Sequence, residues 1–175
     1  LGGVVDLEKD TLEKLKGFYP EVDQHSQINS ALESNYDGYI VATPAQTHFE
    51  VSKKIIKRQK HLLIEKPLTL CIDDAESLVN LVERFKVNVV VGHLLLFHPA
   101  IKKIKKMIVD KEIGDLQYIY SNRLNLGKVR TQENVFWSLA PHDIAIFQYL
   151  TNSNPSSINA KGSTFLQKGI PDSTI

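Results

Sequence analysis

Two short stretches of the chain concentrate groups able to move protons. His61-Leu-Leu-Ile-Glu-Lys-Pro67 is an apolar run of strand formers ending abruptly in Glu65, Lys66 and Pro67. A buried strand there delivers two opposite charges to a sheet edge, and in open α/β sheets ligands bind outside the carboxyl ends of the strands. The plainer reading of Lys66 is solvation, because long charged side chains are mostly exposed. The second stretch is Ser138-Leu-Ala-Pro-His-Asp143. Pro141 suits the start of a helix and Asp143 its first turn. The positive end of that helix would disfavour a protonated His142 and keep it available as a neutral base. Its plainer reading is a surface histidine.

Three further groups could hold a ligand. Asp6 ends the first apolar run; an acid at such a strand end can bind the ribose hydroxyls of a dinucleotide and repel the 2′-phosphate of NADP, or merely cap the next helix. Ala42-Thr-Pro-Ala-Gln-Thr-His48 joins a strand end to a helix start, where free N–H groups and the Thr43 and Thr47 hydroxyls could line a cofactor. Turn and cap chemistry explain Pro44 and Thr47 equally well. Arg123, Lys128 and Arg130 form a basic loop that could grip a phosphate or carboxylate, although solvation is the default. The six histidines show no metal-binding spacing, and neither a G-x-S-x-G elbow nor a G-x-x-x-x-G-K phosphate loop occurs.

The elements that must position these groups alternate. The hydrophobic pattern predicts strands over residues 1–6, 36–43, 61–66 and 87–93, and helices over 10–18, 27–34, 47–59 and 73–86. Thr47 and Glu50 have capping-box spacing. Near-continuous apolar strands point to parallel strands buried on both faces, and strands alternating with helices point to βαβ units. The fold class is therefore α/β, a Rossmann-like doubly wound parallel sheet with helices on both faces, spanning residues 1–97. After His98-Pro99 the pattern changes. An amphipathic helix over 100–109 places Ile101, Ile104 and Ile108 inside and its lysines in solvent. Alternating strands over 115–125 and 157–166 flank a helix over 141–150. Residues 98–175 thus read as an incomplete α+β domain with a mostly antiparallel open sheet.

A chain that is 42% hydrophobic and 23% charged is ordinary for a globular protein. Its net charge of +1 gives no electrostatic footprint for nucleic acid or an acidic membrane. The longest apolar runs fall short of the roughly 20 residues of a membrane span. Cys71 is the only cysteine, which excludes an intrachain disulfide and fits a reducing, cytoplasmic compartment. Leu1 lies within a strand pattern and residues 169–175 close no element, so a piece of a longer protein is expected. If Asp6 is the ribose acid, the glycine fingerprint absent from this chain belongs upstream of Leu1.

Taken in order, Asp6, Ala42-Thr-Pro...His48, Glu65-Lys-Pro67, Gly92-His93...Pro99 and Pro141-His-Asp143 resemble the glucose-fructose oxidoreductase/inositol dehydrogenase/MocA family of nicotinamide-dependent dehydrogenases. The resemblance covers nearly the whole chain. It implies an N-terminal Rossmann domain lacking its first strand, and a C-terminal domain whose open sheet builds a homo-oligomer. It also implies that Asp6 binds the ribose of NAD, with NADP disfavoured. Thr43, Pro44 and His48 would line the cofactor channel, and Glu65, Lys66 and Pro67 would lie beside the nicotinamide. Lys66 matches the family's lysine on the reacting hydroxyl and His142 its second-domain histidine. The family's aspartate four residues earlier is Ser138 here. The segments around Ser121 and Trp137 look most like enzymes of nucleotide-sugar metabolism, with Arg123 and Arg130 meeting a substrate phosphate and Asp143 a further substrate-binding residue. The expected activity is hydride transfer between a sugar or nucleotide-sugar hydroxyl and NAD, without nucleic acid, membrane or metal. A dinucleotide-binding sensor without catalysis is the rival; it would have no need of both Lys66 and His142.

Overall fold

A computed structural model describes residues 1–124 and 133–175. The chain forms two compact units, Leu1–Val91 and Gly92–Ile175, so the division precedes the change in pattern that the sequence shows at His98.

In the first unit, β1 (Gly3–Val5), α1 (Lys9–Phe18), β2 (Asp23–His25) and α2 (Ile28–Glu33) are followed by β3 (Gly38–Val41), α3 (His48–Lys57), β4 (His61–Ile64), α4 (Ile72–Phe85) and β5 (Val89–Val91). A 3₁₀ turn over Ala45–Thr47 leads into α3. All the strands are parallel, in two sheets ordered β1-β2 and β3-β4-β5. The β3–β4 register runs from Gly38 opposite His61 to Val41 opposite Ile64.

The core lies where α3 and α4 cover one face of β3-β4-β5, with Val41, Leu62 and Ile64 from the strands meeting Ile55, Ile56 and Leu78 from the helices. Helix α3 buries His48, Ser52, Ile55 and Ile56, positions i, i+4, i+7 and i+8 of one helical stripe. Fully burying an aliphatic side chain of this size contributes about 2 kcal/mol. The opposite sheet face is open among the described residues, with Ile40 71% and Val90 50% exposed. The parallel α/β architecture stands.

Several local expectations give way to better partners. Thr47 does not cap α3 through its side chain; its hydroxyl lies 2.8 Å from the Pro44 carbonyl oxygen and 2.7 Å from Thr43 Oγ1. A carbonyl only accepts, so Thr47 donates to Pro44 and can accept from Thr43. Helix α4 starts after an exposed Cys71 that supplies no side-chain cap, and Asp73 and Asp74 occupy its first turn as expected.

In the second unit, a 3₁₀ turn over Leu94–Phe97 precedes α5 (Pro99–Val109). His98 Nδ1 accepts the Ala100 N–H at 3.2 Å. The expected inside and outside of α5 are adjusted at two positions. Ile104 is 39% exposed, and Lys105 donates to the Leu150 carbonyl at 3.1 Å, in the last turn of the next helix, where a cation is favoured.

That helix, α6, spans Val135–Thr151, starting before the predicted residue 141. Its N-cap is Asn134, whose side-chain oxygen accepts the Trp137 N–H at 3.0 Å, and Pro141 lies inside it. The proline has no N–H for the Trp137 carbonyl, so the helix omits one backbone bond there. Residues 116–124 form no strand. Their alternation suits a sheet face, but no neighbouring strand among the described residues offers them a ladder. The strand expected over 157–166 is reduced to β6 (Gly162–Ser163), antiparallel to β7 (Ser173–Thr174). No described helix is long and apolar enough to cross a membrane.

Candidate functional site

Parallel pairing of β3 and β4 brings their carboxyl ends to the same sheet edge. Beyond Val41 the chain turns through exposed Ala42, Thr43 and Pro44; beyond Ile64 it presents Glu65 and Lys66, both half-buried. The Glu65 N–H extends the pairing with a 2.8 Å bond to the Val41 carbonyl. Pro67 follows through a cis peptide bond and is buried. The first unit therefore brings Thr43, Pro44, Glu65, Lys66 and Pro67 to one sheet edge.

His48 behaves differently from expectation. Its ring is 1% exposed, with Nδ1 2.8 Å from the Pro67 carbonyl oxygen and Nε2 2.8 Å from the Thr43 carbonyl oxygen. A ring so enclosed and so bonded offers no surface to line a channel; it acts on the two turns through their backbone. The signal was present in the sequence, because His48 precedes Ile55 and Ile56 by helical intervals and so occupies a core position.

Asp6 follows β1 directly, its N–H bonded to the His25 carbonyl at 3.1 Å. One of its oxygens accepts the Glu8 N–H at 2.8 Å. This is a local turn two residues long and not a helix cap, since Glu8 is the N-cap of α1, and the carboxylate retains further acceptor sites.

In the second unit, the dipole argument for His142 is corrected. Helix α6 begins at Val135, so His142 and Asp143 lie well past the first turn, where the dipole effect has faded. Asp143 and Arg123 are each other's partners: Arg123 Nε donates to Oδ2 at 2.7 Å and Nη2 to Oδ1 at 3.1 Å, while the Ser121 hydroxyl donates to Oδ1 at 3.0 Å. Burial alone would raise the Asp143 carboxyl. Hydrogen bonds from Arg123 and Ser121, with the charges of Arg123 and His142, outweigh it and hold the carboxyl below the usual range. The same hydrogen bond raises the Arg123 guanidinium. Arg130 and Lys128 fall outside the described residues.

One group escaped attention as a site residue. His93 Nδ1 is buried and has no hydrogen-bond partner among the described residues, and burial lowers the pKa of its ring. Among the described residues no His, Cys, Asp and Glu cluster could hold a metal ion.

The parallel sheet, its strand-end turn and the charged end of β4 define a dinucleotide-type α/β protein. Residues 3–93, more than half of the chain, match the oxidoreductase family with NAD-binding Rossmann fold, Gfo/Idh/MocA, and the chain belongs to that family. It is 30% identical over 145 residues to UDP-N-acetylglucosamine 3-dehydrogenase of Acidithiobacillus ferrooxidans, covering 82% of this chain and 43% of that protein. It is 23% identical over 178 residues to inositol 2-dehydrogenase of Rhizobium meliloti, covering 98% and 53%. Among solved structures, the Acidithiobacillus ferrooxidans UDP-N-acetylglucosamine 3-dehydrogenase superimposes with a TM-score of 0.84 at 25% identity, over 97% of this chain and 53% of that one. A Listeria innocua NAD-binding protein reaches 0.90 at 20% identity, over 99% and 54%, a likeness of fold. The chain spans about half the length of these relatives.

Proposed function

We propose that the protein carrying this chain is an NAD-dependent oxidoreductase that moves a hydride between a sugar or nucleotide-sugar hydroxyl and nicotinamide. The observation that carries this reading is Lys66, held half-buried at the carboxyl end of β4 beside the exposed Thr43-Pro44 turn of β3. A dinucleotide fits the groups present in the first unit: an exposed strand-end turn, and a carboxylate after β1 with acceptor capacity to spare. Asp6, Thr43, Pro44, Glu65, Lys66 and Pro67 would hold it, with Asp6 favouring NAD over NADP. When bound, the cofactor supplies the hydride acceptor.

The protein must then steady the developing alkoxide and receive the hydroxyl proton. Lys66 is suited to both tasks, since its ammonium donates to an oxygen and its neutral amine can accept a proton. His142 is assigned the second proton-transfer role on the family resemblance. The similarity to a UDP-N-acetylglucosamine dehydrogenase supports a nucleotide-sugar substrate, for which Arg123, Arg130 and Asp143 are assigned as binding residues on the family resemblance. Pairing with Asp143 does not remove Arg123 from this role, because its guanidinium keeps further N–H donors.

The test is reduction of NAD by the natural protein that carries this chain, across a panel of sugars, inositols and UDP-sugars. Turnover with one of them is the expected result. Tight NAD binding with no turnover on any would defeat the proposal and favour a dinucleotide-binding sensor.

A further inference from the structure

We propose that His48 is a positioning residue, which fixes Lys66 by tying the turn after β3 to the turn after β4. Pairing between these strands runs only as far as Val41 opposite Ile64 and the Glu65 N–H bond to Val41. Pro67 has no N–H and cannot extend it. The next tie is the 2.8 Å contact between the Pro67 carbonyl oxygen and His48 Nδ1, and the same ring reaches back to the Thr43 carbonyl through Nε2 at 2.8 Å. Lys66 is therefore bracketed. On its N-terminal side Glu65 is pinned to Val41; on its C-terminal side Pro67 is pinned, through one imidazole, to the residue two beyond Val41.

The ring is itself enclosed by the core, because His48 is the first residue of α3 and begins the buried stripe continued by Ser52, Ile55 and Ile56. The core thus sets the height of both turns. Both carbonyls only accept, so the ring donates through whichever nitrogen carries a proton, and its burial holds the other edge against the second turn. This inference rests on the proposed role of Lys66, but the strut can be examined without it.

Two measurements on the natural protein test the proposal. With ¹⁵N-labelled histidine, NMR should show a His48 ring N–H protected from solvent exchange. A His48 ring N–H that exchanges as freely as that of an exposed histidine breaks the bracket and overturns the proposal, and this readout needs no turnover, so it stands apart from any failure of the proposed activity. In kinetics, His48→Phe fills the space but supplies no donor. It should lower kcat on the order of 10- to 100-fold, the scale of a misplaced catalytic group, with a much smaller change in substrate KM. His48→Gln, which keeps one amide donor group, should recover part of that loss. A folded His48→Phe protein with kcat within about two-fold of the parent would overturn the assignment; if that variant does not fold, the NMR result decides.

Discussion

Replacing Asp143 by Asn and Arg123 by Gln, singly and together, isolates the pair that ties Arg123 to α6. The guanidinium meets both carboxylate oxygens, at 2.7 and 3.1 Å, and Ser121 adds a third bond at 3.0 Å. The Arg123 side chain is 35% exposed and that of Asp143 17%, so water screens the attraction. The coupling belongs at the upper end of the surface range, about 1 kcal/mol, or roughly five-fold in the unfolding equilibrium. A double-mutant cycle from urea titrations at neutral pH measures it directly. The Asp143 carboxyl is depressed in the folded protein, so its contribution is fully present above the unfolded-state value of about 3.9. It is lost as pH falls through the folded value. The parent should therefore lose this coupling below about pH 4, and Asp143→Asn should flatten that part of the acid limb. A coupling of zero at neutral pH, or equal acid limbs in parent and variant, would refute the reasoning.

Other perturbations probe separate links. Ile64, the last residue of β4, is fully buried; Ile64→Val should cost about 1 kcal/mol and Ile64→Ala about 2–5 kcal/mol in urea or thermal unfolding. Asn134→Ala removes the cap of α6 and should cost about 1 kcal/mol by the same measurement. Lys66→Ala and His142→Ala should each lower turnover strongly, and NAD affinity, followed by calorimetry, should stay nearly intact in His142→Ala. Unchanged turnover in both would remove them from the mechanism.

The parts of the fold legible in the sequence were those whose pattern is set by one buried face. The Tyr39–Val41 and Leu62–Ile64 strands and the Ile55–Ile56 and Leu78 stripes announce themselves through apolar spacing. Strand β2 did not, because Asp23-Gln24-His25 is polar and pairs with β1 through its backbone. Helix α6 was misplaced because Pro141 imitates a first-turn proline, whereas the start is set by Asn134 capping Trp137. The alternation over 116–124 records a preference for a sheet face without supplying a partner strand. At the candidate site, strand-end logic found Thr43, Pro44, Glu65 and Lys66. It could not find what His48 does, since that depends on two carbonyls distant in sequence that converge only in the folded chain. The same holds for Arg123 and Asp143, proposed separately as ligand groups and joined by folding.

Cys71 gives the turn after β4 a practical value. Its thiol is exposed, it is the only cysteine in the chain, and it opens α4 five positions beyond Lys66. Its carbonyl is held by the Thr69 hydroxyl at 2.7 Å, which anchors the backbone at the attachment point. A spin label or fluorophore placed there would sit on a fixed base beside the lysine-bearing turn, reporting local motion without any engineered residue in this chain.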